Sequence, residues 1–197
     1  MPATLQHHPV GITWHETNAM ARAAHAVRDG QRVWLIDPFE DAAALEAAAA
    51  LGQPAGVIQL LDRHQRDGEQ IASRLGVALL RLPASLPNTP FEVVSVVSRP
   101  WWKEMALWWP AERALIVAEA IGTAPGFALG RRAGVHPMLR LLPPRSALGG
   151  LHPERLLVGH GPALETDADP ALSQALASSR SDVPKLLAKL PSIIRGG

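Results

Sequence analysis

From residue 32 onward the apolar positions fall into short blocks whose period switches between that of a strand and that of a helix. RVWLID over 32–37 is a β-prone run that stops where Pro38 withdraws a backbone donor. DAAALEAAAAL over 41–51 is built from strong helix formers, and Gly52 supplies a C-terminal stop. GVIQLL over 56–61 reads as a second, buried strand. A helix is expected over 67–75, with Asp67 near its N-terminus and Gly76 behind it, followed by a third strand over 77–82. The first half therefore predicts strand, helix, strand, helix, strand.

Past residue 90 the pattern changes. A strand is expected over 91–97, and the runs 104–109 and 113–118 flank a Pro110-Ala-Glu turn as a hairpin would. His136-Pro137 opens a helical turn reaching Leu142. A last short strand over 155–158 ends in Gly159, His160 and Gly161, and two helices are expected over 170–179 and 183–190. Residues 1–30 are polar and mixed and yield no assignment. Strands separated by helices predict an α/β architecture, either one sheet covered on both faces or two sheets covered by helices.

Composition narrows the partners. The chain has 197 residues, 47% of them apolar, which is enough for one substantial core and favours a single domain over 1–197. Nineteen basic residues stand against eighteen acidic ones with neither sign in a block, which argues against nucleic acid and against an anionic membrane surface. The absence of cysteine excludes disulfides and thiolate ligands. The first residues lack the basic start and apolar run of a secretory signal. No apolar segment approaches the roughly 20 residues that span a bilayer, so a cytoplasmic location is expected.

Three strand ends carry acids or histidines: LDRHQRDG over 61–68, AEA over 118–120, and GHG over 159–161. Loops at strand ends are where rigid scaffolds commonly hold functional groups. In this order the segments resemble the metallo-β-lactamase fold superfamily. VWLID over 33–37 resembles its early strand ending in Asp. LLDRHQRDG over 60–68 stands in the place of its Thr-His-x-His-x-Asp-His stretch. LIVAE over 115–119 stands where the family has an apolar strand ending in Gly-Asp, and LLVGHGP over 156–162 resembles its final strand with Pro-Gly-His-Gly. The resemblance spans 28–164 and implies a four-layer αββα sandwich.

What the resemblance implies for chemistry is uneven. In the family's commonest hydrolases these motifs hold two metals bridged by a carboxylate. Here Arg63 and Gln65 stand at the two His positions, Asp67 keeps the aspartate, and Gly68 replaces the last His. The segment 98–103 offers Trp101 and Trp102 but no His. Glu119 matches the bridging Asp and His160 the final His. The first metal site is thus expected to be lost. Asp67, Glu119 and His160 remain as the catalytic and metal-ligating half-site of a hydrolase, holding either no metal or one divalent ion, Zn, Mn or Fe.

Arg63, whose guanidinium forks onto carboxylates, offers a metal-free alternative by pairing with Asp67 or Glu119. On that reading the chain is a non-catalytic descendant that binds a small molecule or a protein, with Arg63, Gln65, Trp101 and Trp102 as ligand-binding residues. Plain structural duties compete throughout: Asp67 as a helix cap, His160 as a turn residue, the tryptophans as core filling or as a contact in a homo-oligomer. His64, falling between the two lost ligand positions, is set aside as a non-ligand, and His136 and His152, each before proline, as turn residues.

Overall fold

A computed structural model describes residues 3–188 of the chain. Its first sheet contains β1 (Thr4–His8), β2 (Gly11–His15), β3 (Ala23–Asp29), β4 (Arg32–Ile36), β5 (Gln53–Gln59) and β6 (Leu79–Arg81), neighbours in that order. The first four run antiparallel, while β4, β5 and β6 are parallel to one another. Parallel neighbours need crossovers, and α1 (Ala42–Leu51) and α2 (Gly68–Leu75) supply them. The second sheet holds β7 (Glu92–Arg99), β8 (Trp102–Trp109) and β9 (Ala114–Val117), with the late strand β12 (Arg155–Val158) parallel to β9 at its edge. Between them β10 (Ile121–Gly122) and β11 (Gly134–Val135) form a small separate ladder. Helices α3 (Pro125–Ala128), α4 (Arg145–Leu148) and α5 (Ala168–Ser178) complete the fold.

Strand alternation sorts the layers. Val33, Leu35 and Val57 point one way and pack with Ala44 and Ala48 of α1 and Ile71 of α2. Their neighbours Trp34, Ile36 and Ile58 point the other way, into a core that includes Leu107 and Ile116 on one face of the second sheet and continues through Leu115 and Leu156 on its other face to Leu172 and Leu176 of α5. Two sheets, with helices packed against them, give the α/β arrangement that the sequence predicts.

Helix α1 starts where Asp41 Oδ1 accepts the Ala44 amide at 3.0 Å, and Asp41 Oδ2 also ties down the Ala3 amide at 2.9 Å. Asp41→Ala is expected to cost about 1 kcal/mol or somewhat more, read as a lower urea midpoint at an unchanged m-value.

The strands β1 to β3 lie where the sequence yielded no assignment, because polar residues occupy inward positions. Thr13 and His25 are both buried. His8 Nε2 lies 3.1 Å from Thr13 Oγ1, which lies 2.8 Å from His25 Nδ1. A hydrogen-bonded polar column inside a sheet erases the apolar alternation by which a strand is recognised. Residues 183–188 are helical, and the rest of the helix expected over 183–190 lies outside the described residues. No helix among the described residues is long and apolar enough to cross a membrane.

Candidate metal centre

The parallel pairs β4–β5 and β9–β12 end at the same side of the molecule, and the loops leaving them converge. Backbone bonds stitch the two sheets together there: Ala23 N donates to Gly159 O at 2.8 Å, and Met105 N to Leu60 O at 2.8 Å. Gly159 is required by this closeness. A Cβ on it would lie 2.0 Å from Ala118 O and 3.2 Å from His64 Cε1. Asp37 and Arg66, which flank the centre, have φ of 45° and 40°. Non-glycine residues held in the left-handed region are concentrated at functional sites.

The imidazoles are fixed from behind. His64 Nδ1 donates to Asp37 Oδ2 at 3.0 Å, and Asp37 Oδ1 accepts the Leu60 amide at 3.0 Å. His160 Nδ1 donates to Met20 O at 2.9 Å, and its ring stacks on Phe127 with centroids 5.1 Å apart. In each ring Nδ1 is the nitrogen held from behind, which directs Nε2 into the centre. This is the arrangement by which outer partners orient metal-binding histidines. One ligand atom each from His64, Glu119 and His160 lie within 4.8 Å of one another. Burial holds His160 down to about 4, against the raising effect of the Met20 bond, so the ring is neutral at pH 7. His160 Nε2 and Glu119 Oε2 are buried with no hydrogen-bond partner among the described residues. One orphaned imidazole nitrogen and one orphaned carboxylate oxygen, with His64 Nε2 beside them, fit a divalent cation.

Around this trio, His136 Nδ1 accepts the Met138 amide at 3.2 Å, which leaves the ring proton on Nε2, 3.7 Å from Glu119 Oε1. Burial lowers His136 to about 4 as well, with His160 and Arg63 adding to the effect. Arg63 lies 4.2 Å over the ring of Trp102, with its Nε 3.7 Å from Glu119 Oε2 and 3.5 Å from Asp62 Oδ1.

Beneath Glu119 sits a second carboxyl. Glu104 Oε1 accepts the amides of Glu119 and Ala120, each at 2.8 Å, and Oε2 accepts Trp102 Nε1 at 2.8 Å. Burial pushes Glu104 up to about 7, and these three donors oppose the rise. Arg66 donates to Asp37 O at 2.7 Å and to Gly159 O at 3.3 Å, which ties strand ends of both sheets, and its Nη2 is 3.5 Å from His64 Nε2.

The structure therefore brings Glu119 and His160 together but seats Asp67 elsewhere. Asp67 Oδ2 accepts the Glu40 amide at 2.8 Å, and the side chain makes no capping bond although Asp67 stands at the N-cap of α2. His64, set aside on the sequence, takes the third place. Arg63 reaches Glu119 and not Asp67. Gln65 is exposed and lines a separate depression with Glu69 and Arg81. Trp102 is fully buried, whereas Trp101 is 56% exposed.

Sequence reasoning passed over His64, His136 and Glu104. For His64, a turn closed by His64 N donating to Leu61 O at 3.0 Å separates it from the strand, so strand periodicity does not carry through to it. Glu104 had a usable signal, since it shares a β8 face with Trp102 and Ala106, both buried.

No family model matches the chain, and no curated protein matches it. Solved structures do. DIM-1 metallo-β-lactamase exposed to ceftazidime aligns over 94% of this chain and 98% of its own, with a TM-score of 0.59 at 10% identity. A metallo-β-lactamase from Hirschia baltica covers 91% and 98%, with a TM-score of 0.59 at 11% identity. FIM-1 from Pseudomonas aeruginosa in its mono-zinc form covers 91% and 97%, with a TM-score of 0.56 at 10% identity.

Proposed function

The chain has the metallo-β-lactamase fold, and from that premise we propose that it is a hydrolase-like protein with a degraded centre that takes one divalent metal on His64 Nε2, His160 Nε2 and the Glu119 carboxylate. The observation that carries the reading is the convergence of these three groups within 4.8 Å, with Nδ1 of each imidazole held by an oxygen acceptor behind it. Two imidazoles and a carboxylate suit Zn, Mn or Fe. Among the described residues no second trio of this kind occurs. When bound, the ion supplies Lewis acidity toward a carbonyl or phosphoryl oxygen.

The remaining roles belong to the protein. His136 holds a proton on Nε2 beside Glu119, where it can donate to an oxygen of the substrate. Arg63 places positive charge at the open side of the centre. Phe127, stacked on His160, and the buried Trp102 keep water from its back. Hydrolysis of chromogenic carboxylic, thio- and phosphoesters tests the reading. Turnover is expected in zinc-loaded protein, abolished by chelation and reduced at least a hundredfold in His160→Ala. Equal rates in loaded and chelated protein would refute it. Asp37→Asn, which weakens the acceptor behind His64, is expected to reduce zinc affinity by about 10–100-fold.

A second reading has its own support. The Arg63 contact with Glu119 and the Arg66 nitrogen 3.5 Å from His64 Nε2 place two guanidinium groups where they can substitute for a cation's charge. The protein would then bind a small ligand or a partner without turnover. Absence of metal uptake combined with loss of folding stability in Arg66→Met would favour it.

A further inference from the structure

A groove of about 660 Å³ opens between β7 and the segment 138–146. That volume falls within the range of roughly 300–1,000 Å³ found for small-molecule sites. One end adjoins the candidate centre. Trp101 packs edge-on against Trp102 with centroids 6.1 Å apart, and the Met138 amide donates to His136 Nδ1. Trp101, Met138 and Leu142 line the groove and are 56%, 62% and 69% exposed, an unusual concentration of bare apolar surface.

The charge in the groove has one sign. Arg99, Arg145 and Arg180 line it, and among the described residues no carboxylate does. Arg145 donates to the carbonyls of Leu176 and Ala177, and Arg180 Nε to that of Leu141, partners that hold the guanidiniums in place without neutralising them. Arg99 is exposed at the end of β7. A purely apolar ligand would leave these cations without a counter-charge, and a purely polar one would leave the tryptophan and its neighbours bare. Strand addition by an extended peptide is disfavoured too, because β7 carries an irregularity in register between Ser95 and Val97.

We propose that this groove binds an amphipathic small-molecule anion, a carboxylate or comparable acid on an apolar chain, with the chain against Trp101, Met138 and Leu142 and the acid among the arginines. As the place where such a substrate's distal arm lies during turnover, it rests on the hydrolase reading above; as a binding site it does not.

Calorimetric titration of chelator-treated protein with octanoate and with its neutral isostere octanamide separates the two. Octanoate is expected to bind saturably, octanamide at least tenfold more weakly. The Arg99→Gln, Arg180→Gln double variant and Trp101→Ala, all at exposed positions, are each expected to weaken octanoate binding at least tenfold. In zinc-loaded protein the same double variant is expected to raise KM for a carboxylated ester at least tenfold while leaving that for a neutral ester unchanged. Absence of octanoate binding, equal binding of octanamide, or indifference to the arginines would overturn the proposal. Failure of metal uptake with octanoate binding intact would remove the hydrolase reading and leave the site standing.

Discussion

Glu104→Ala is expected to lower the unfolding free energy by about 3–5 kcal/mol, a large share of what a domain of this size possesses. The carboxyl is fully buried and accepts from three donors, the amides of Glu119 and Ala120 and the indole of Trp102. Alanine leaves all three without an acceptor, and each buried unsatisfied donor costs about 1–3 kcal/mol, less whatever water entering the cavity recovers. Glu104→Gln should recover part of the loss, because its amide oxygen can accept the two backbone donors while its NH2 group faces Trp102 Nε1. Urea unfolding measures both. A loss under about 1 kcal/mol for the alanine variant would mean that the carboxyl does not support these bonds. Since Glu104 fixes the backbone of Glu119, the alanine variant should also bind zinc more weakly, and the glutamine variant, which keeps those two bonds, should bind it nearly as the wild type does.

Acidification below pH 6.5 is expected to destabilise the metal-free protein, with His8 and His25 as contributors outside the centre. Burial lowers His8 to about 4 and His25 well below its ordinary value. Unfolded, both titrate near 6.5, so as the pH falls from 6.5 the unfolded chain takes up protons that the folded chain refuses. Their stabilising effect is complete above 6.5 and is lost as the pH falls toward 4. For His8 the loss is on the order of 3 kcal/mol across that window. Glu104 acts in the opposite sense, because a carboxyl raised to about 7 favours the folded state as the pH falls from 7. The net slope is therefore smaller than the histidines alone would give. Replacing His8 by Gln should flatten the dependence of stability on pH by up to one proton, read from urea midpoints at pH 7, 6 and 5. Identical slopes in the two proteins would contradict this assignment.

The parallel half of the first sheet was legible because 32–37, 56–61 and 77–82 are mainly apolar runs separated by helix formers, with only Gln59 and Arg81 as polar residues inside them. The antiparallel half was not, because its inward positions include Thr13 and His25, buried polar residues joined by a hydrogen bond between Oγ1 and Nδ1. At the centre, Glu119 and His160 were legible as lone chemical groups ending apolar strands. The loop at 61–68 was harder, since motif spacing assumes a fixed register across a turn. Shifted by one residue, the first His position falls on His64, whose ring is held by Asp37, a partner 27 residues earlier. Asp67 looked like a ligand by that spacing, yet its carboxylate is occupied by the Glu40 amide. Glu104 was legible in principle: a carboxylate on the inward face of a tryptophan-rich strand is costly unless its environment supplies donors.

The two registers of that loop make opposite predictions, and zinc stoichiometry separates them. Elemental mass spectrometry on dialysed, zinc-treated protein is expected to find about one equivalent per chain in the wild type. It should find the same in Asp67→Ala, and essentially none in His64→Ala or His160→Ala, with circular dichroism confirming that each variant is folded. Zinc retained in His64→Ala, zinc lost in Asp67→Ala, or no zinc in the wild type would contradict a centre built from His64, Glu119 and His160.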